Sequence, residues 1–154
     1  MFLYLVMDDF QQFEAFQKCR ILVRAVGALV NNGTFSKDSV LVTQLRRTML
    51  SIYSNFGEGF ERDGNREFIQ FLSISKASIG ELCAQLLYAL DLGYLDSERF
   101  EELNDLAREA ARYVGGLIRH LKKSAFRGHK YNQNEPPRSA SKHIRRIASQ
   151  EGKT

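Results

Sequence analysis

Residues 44–71, QLRRTMLSIYSNFGEGFERDGNREFIQF, hold the end of one helical pattern, a turn and the start of another. Leu45, Met49, Ile52, Phe56 and Phe60 recur at alternating steps of three and four, which lines one face of an α-helix. Phe68 and Leu72 resume that rhythm after Asp63-Gly64, a turn dipeptide, with Asn65 as a fair cap for the helix that follows. Gly57 and Gly59 interrupt the first pattern, and each costs a helix about 1 kcal/mol relative to alanine. A helix tolerates such residues where a neighbouring backbone comes close, or where it bends or ends. The stretch therefore reads as the join that sets two helices against each other.

Working outward, the preceding helix is expected to start near Ser36, with Asp38 in its first turn and Val42 also facing inward. A first helix is expected over 10–30, with the stripe Phe16, Cys19, Val23, Val26 and Val30. Asp8 and Asp9 place negative charge at its start, where the helix dipole favours it. Asn31-Asn32-Gly33 supplies its stop through a left-handed residue. Towards the C-terminus, a third helix is expected over 66–92. It carries Phe68, Leu72, Ser75, Ile79, Leu82, Leu86 and Ala89 on one stripe, widened by Phe71, Ile74, Cys83, Leu87 and Leu90, and Gly93 closes it. Asp96 or Ser97 caps a fourth helix whose Phe100, Leu103, Ala107, Ala110, Val114, Leu117 and Leu121 form an unbroken coiled-coil-like seam. Gly115-Gly116 beside that seam would let another helix approach closely.

Four helices joined by connections of about three to six residues run antiparallel to their sequence neighbours. The expected fold is all-α: an antiparallel up-down-up-down four-helix bundle over residues 9–124. An N-terminal extension, 1–8, and a flexible basic tail, 125–154, flank it. Composition agrees, since 154 residues suit one domain, and only two prolines, eleven glycines and 44% hydrophobic residues suit a helical globule. Pro136-Pro137 and scattered Ser, Asn and Gln mark the tail, which has only the brief amphipathic piece 142–147. Cys19 and Cys83 fall within apolar stripes without CxxC spacing and read as reduced thiols. The opening MFLYLVMDD has no basic start or small-residue cleavage site and is too short to span a bilayer, so a cytoplasmic protein with no membrane contact is expected.

Charge is unevenly spread. Residues 1–121 hold 13 Lys and Arg against 16 Asp and Glu, whereas 122–154 hold 9 against 2, a local net charge of +7. Lys122, Lys123, Arg127, Lys130, Arg138, Lys142, Arg145 and Arg146 are therefore candidate nucleic-acid contacts, because phosphate neutralisation by Lys and Arg releases counterions. Arg46 and Arg47 join them, since the guanidinium fork suits phosphate. The same pair could equally form a salt bridge within or between subunits, or a solvated face.

Other chemistry finds little support. Bundle metal sites use Glu-x-x-His pairs, whereas His120, His129 and His143 lie at the end of the last helix or in the tail. Glu58 and Glu61 read as a helix-end salt bridge or cap rather than an acid and base pair. Gly57-Glu58-Gly59 lacks the Lys-Ser/Thr of a phosphate loop. No enzyme, metal or cofactor is expected.

FQQFEAFQKCRILV (10–23), QLRRTMLSIYSNFGEGF (44–60), REFIQFL (66–72) and GELCAQLLYALDLGYL (80–95) together resemble the bacterial four helix bundle protein family. Its founding members are encoded by intervening sequences inside large-subunit ribosomal RNA genes. The resemblance covers about residues 9–124. Phe16 stands where the family commonly has Trp, Tyr53 where it has Pro, and Gly57 where it has Ala, so a different helix-end geometry is expected. MDDFQQFEAF resembles a usual family opening, which makes Met7 a candidate start. The resemblance implies the bundle fold and a homopentamer. It also implies kinship with the accessory variability protein of diversity-generating retroelements, a basic bundle that binds nucleic acid and a reverse transcriptase. Two functional expectations stand: a non-enzymatic oligomeric scaffold that binds RNA or DNA, motivated by the +7 tail and the paired arginines, and an adaptor that docks a protein such as a reverse transcriptase, motivated by the broad apolar surface of the third helix and by Tyr53 and Phe60.

Overall fold

The computed structural model describes residues 9–62 and 64–124. The expectations for the first eight residues, including a start at Met7, for Asp63 in the turn and for a flexible tail from 125 onward lie outside the described residues. A 3-10 turn, Phe10–Gln12, leads into α1, Glu14–Asn31; then follow α2, Ser39–Glu61, α3, Asn65–Asp91, and α4, Ser97–Lys123. Each helix packs on its sequence neighbours, and α1 also lies along α4, which closes the bundle. The up-down-up-down reading is borne out.

The helix starts depart from the sequence expectation for local reasons. Asp9 accepts from the Gln11 amide and nucleates the 3-10 turn, and Phe13 then takes an extended backbone, so α1 begins at Glu14 and not at residue 10. That break turns the Phe13 ring inward, 5.7 to 6.0 Å from the rings of Phe56, Phe60 and Phe68. Asp38 does not sit inside α2; it is the N-cap, accepting from the Leu41 amide at 2.8 Å. Residues 32–38 form a longer connection than expected, held by Phe35, which is fully buried. Asn65 is not the cap of α3. Extended Gly64 takes that place, and the Asn65 amide donates to Ser124 Oγ at 2.7 Å and to the Leu121 carbonyl, tying the start of α3 to the end of α4.

The stripes on α3 and α4 are buried as expected, apart from half-buried Phe100. On α1, Leu22 is fully buried where Val23 was expected, because α1 must face α4 as well as α2. Along the α2–α3 seam, Ser75 Oγ donates to the Ile52 carbonyl at 2.9 Å, and Ser51 and Ser78 share a hydrogen bond at 2.8 Å. These pairings let small polar residues lie inside without an unmet donor. Beside Gly115 lie the ends of the Arg119 and Lys76 side chains, the latter reaching across from α3, 3.5 to 3.8 Å from where a Cβ would stand. Gly33 and Gly93, with φ of 84° and 72°, end α1 and α3 in the left-handed region as expected.

Candidate nucleic-acid interface

Helix α2 runs unbroken through Gly57 and Gly59 to Glu61, so residues 44–61 form one continuous helical surface and not a loosened end. Gly59 is required by packing. A Cβ there would sit 2.5 Å from Phe71 Cβ and 3.0 Å from the Phe68 ring, so α3 can start against α2 only because that position is bare. The aromatic residues on either side are consumed by packing. Phe16, Tyr53 and Phe56 have ring centroids 5.1 Å apart in two of their pairings, and Phe10 stands edge-on to Phe16 at 4.8 Å. Glu58 pairs with Arg62 at 2.7 Å, the helix-end salt bridge expected of it.

Arg46 and Arg47 are both exposed, and neither forms an ion pair among the described residues. A salt bridge within the described bundle is therefore not their role. Arg46 and Tyr53 are seven residues apart and share a side of α2. On α1, Arg20, Arg24 and Gly27 again recur at helical spacing, and a Cβ on Gly27 would lie 4.0 Å from Met49 Sδ, so this row of α1 runs beside α2. Arg20 and Arg24 both act electrostatically on the Tyr53 hydroxyl, and the Tyr53 ring packs on Phe16, one turn before Arg20. Burial raises the Tyr53 pKa, and the two arginines pull it partly back.

These arginines meet almost no opposing charge on their own elements. Between Glu14 and Glu58 the sequence holds six basic residues and one acid, Asp38. That acid is turned away, capping α2 and accepting from the Tyr88 hydroxyl on α3 at 3.3 Å. The acids are concentrated on α4, where Glu109 binds Lys18 at 3.1 Å, Lys18 also lies 5.2 Å over the Tyr113 ring, and Arg112 sits on that ring's other contact at the same distance. Helix α4 mixes five acids with six basic residues, so the basic strip of α1 and α2 between Glu14 and Glu58 carries the most one-signed charge of the described bundle.

Residues 11–116 match the family model described as 23S rRNA-intervening sequence protein. The chain belongs to that family. The match spans more than half of the sequence and most of the described bundle, including the basic strip and the Gly59 contact. A crystal structure of a protein of unknown function from the S23 ribosomal protein family of Bacteroides thetaiotaomicron is similar in fold. Its TM-score is 0.59 at 22% identity, over 68% of this chain and 96% of that one. No curated protein matches.

Sequence reasoning singled out Arg46 and Arg47 but missed Arg20 and Arg24, which lie beside Tyr53 across the α1–α2 seam. The available signal was the acid-free run between residues 15 and 37, obscured by counting charge over 1–121 as one block. Lys122 and Lys123 are exposed at the end of α4, at the opposite end of the bundle from the α3–α4 connection. Arg127, Lys130, Arg138, Lys142, Arg145 and Arg146 lie outside the described residues. No described helix is long and apolar enough to cross a membrane, and no group of three or more metal-ligating side chains occurs among the described residues.

Proposed function

We propose that this member of the 23S rRNA-intervening sequence protein family is a non-enzymatic, cytoplasmic scaffold that binds RNA or DNA, assembled as a homo-oligomer. The observation that carries the reading is the basic strip of α1 and α2, six basic residues to one acid, with Arg46 and Arg47 exposed and in no ion pair among the described residues. A one-signed surface of that kind raises the local concentration of a polyanion and holds its phosphates in a salt-dependent way. The basic residues from Lys122 onward add to the same electrostatic attraction, and a pentamer would present five copies of both.

The test is binding of a ribosomal RNA fragment at two salt concentrations by the full chain, by a chain lacking 127–154, and by R46E/R47E. Affinity should fall with salt, with truncation and with charge reversal, the oligomer staying intact in the reversed variant. Affinity indifferent to all three would reject the reading, and dissociation of the R46E/R47E oligomer would assign the pair to a subunit contact.

A second reading, an adaptor that docks a protein such as a reverse transcriptase, draws support from the exposed Ile74, Leu87 and Tyr88 of α3. It draws none from Tyr53 and Phe60, whose rings pack against Phe16 and Phe13. A pull-down from native cells that recovers no reverse transcriptase or other specific protein would count against it.

A further inference from the structure

Arg20 is positioned before any ligand arrives. Its Nη1 donates to Gln17 Oε1 at 3.2 Å, and Gln17 Nε2 donates to the Gln11 carbonyl at 2.6 Å, so a chain of hydrogen bonds from the 3-10 turn orients the guanidinium. Arg24 stands one turn further along the same side of α1, where like charges repel. Arg20 is half-buried and has surrendered part of its hydration. Yet no carboxylate among the described residues pairs with either arginine. Across the seam, the Tyr53 ring packs 5.1 Å from that of Phe16, one turn before Arg20, and both arginines act electrostatically on its hydroxyl, which can donate. Two guanidinium forks and one hydroxyl, all able to donate, share this side of the seam, and no described carboxylate forms an ion pair with them. An oxyanion satisfies every one of these groups at once.

We propose that Arg20, Arg24 and Tyr53 form a phosphate-binding niche that takes backbone phosphates of a bound nucleic-acid strand, extending the Arg46 strip across the seam from α2 onto α1. The inference rests on the nucleic-acid reading above and adds to it a second helix and a defined subsite. The arrangement also specifies the role of Gln17, which is a positioning residue for Arg20 and touches no ligand.

The experiment uses the full chain, R20Q/R24Q and Y53F, each titrated with a single-stranded oligonucleotide across a series of KCl concentrations and, separately, with inorganic phosphate while the arginine side-chain and tyrosine resonances are followed by NMR. Loss of two phosphate contacts should make the slope of log K against log salt shallower by about 1.4 in R20Q/R24Q, and should reduce affinity on the order of tenfold at low salt. Y53F, which keeps the ring, should lose severalfold with the slope unchanged. Helical content equal to that of the parent, read by circular dichroism, excludes misfolding as the cause. Unchanged slope and affinity in R20Q/R24Q would overturn the niche while leaving the nucleic-acid reading standing. If the parent binds no strand at any salt, the functional reading fails, and the phosphate titration decides the niche by itself. Resonance shifts at Arg20 and Arg24 that disappear in the variant uphold an anion site for free phosphate, and their absence overturns it. Loss of binding to an acidic peptide with strand affinity unchanged would also overturn the strand assignment.

Discussion

Gly57 and Gly59 look alike in sequence and differ in consequence. Alanine at Gly57 would meet the Phe10 ring at 3.6 Å, an ordinary contact, and should stabilise the protein by up to about 1 kcal/mol through helix propensity. Alanine at Gly59 would drive a methyl to 2.5 Å from Phe71 Cβ, and the overpacking outweighs propensity, for a net loss of about 1–3 kcal/mol. Urea unfolding of the two single variants checks both signs, and equal shifts would refute the packing argument. Cysteine reactivity is a second contrast at this scale. Burial pushes the Cys19 thiol from its usual 9.0 up to about 12, whereas half-buried Cys83 is raised less and is eased by nearby Arg108. At pH 8.5 alkylation should label Cys83 first and Cys19 only on unfolding, as mass spectrometry would read. Because the folded Cys19 value is the higher one, its stabilising contribution is complete below pH 9 and is lost as pH rises towards 12. The single-residue packing that separates these cases is not written in residue type, since both glycines and both cysteines satisfy the same local pattern.

Capping and tethering operate at the scale of the helices. Asp38 and Asp96 accept from the Leu41 and Arg99 amides at 2.8 and 2.7 Å, and their replacement by alanine should cost about 1 kcal/mol each. Asn65 was legible as a polar residue at a helix start, but its partners lie 56 and 59 positions away, on the last turn of α4 and just beyond it. Asn65→Ala should therefore cost about 1 kcal/mol and, unlike loss of a cap, should loosen the end of α4. Hydrogen exchange at residues 118–124 would detect that, and protection unchanged there with faster exchange confined to the start of α3 would restore the cap interpretation. The stripes of α3 and α4 were readable apart from Phe100 because each helix buries one side between two neighbours. On α1 the reading slipped from Leu22 to Val23, since a helix in contact with both α4 and α2 can place its centre of burial on either of two adjacent rows.

For the molecule as a whole, the buried hydrophobic residues of the described structure run from Phe13 to Leu121 and close on one another around the four helices. Deletion of 125–154 should accordingly change the unfolding free energy by no more than about 0.5 kcal/mol, a calorimetric measurement. A larger loss would mean that the tail contributes to the core. Membership of the 23S rRNA-intervening sequence family agrees with what the residues alone imply about fold. Helix number, direction and most inward faces were determined by the sequence itself, because hydrophobic spacing of three and four, glycine stops and Asp caps act over a single turn or two. The candidate interface was legible only at Arg46 and Arg47. Its other half, Arg20 and Arg24 with Tyr53, comes from a helix more than twenty residues earlier, and only the register in which α1 lies against α2 brings them together. The turning of Asp38 towards Tyr88 was likewise decided in three dimensions, and that long-range contact directs the one acid of the run towards α3.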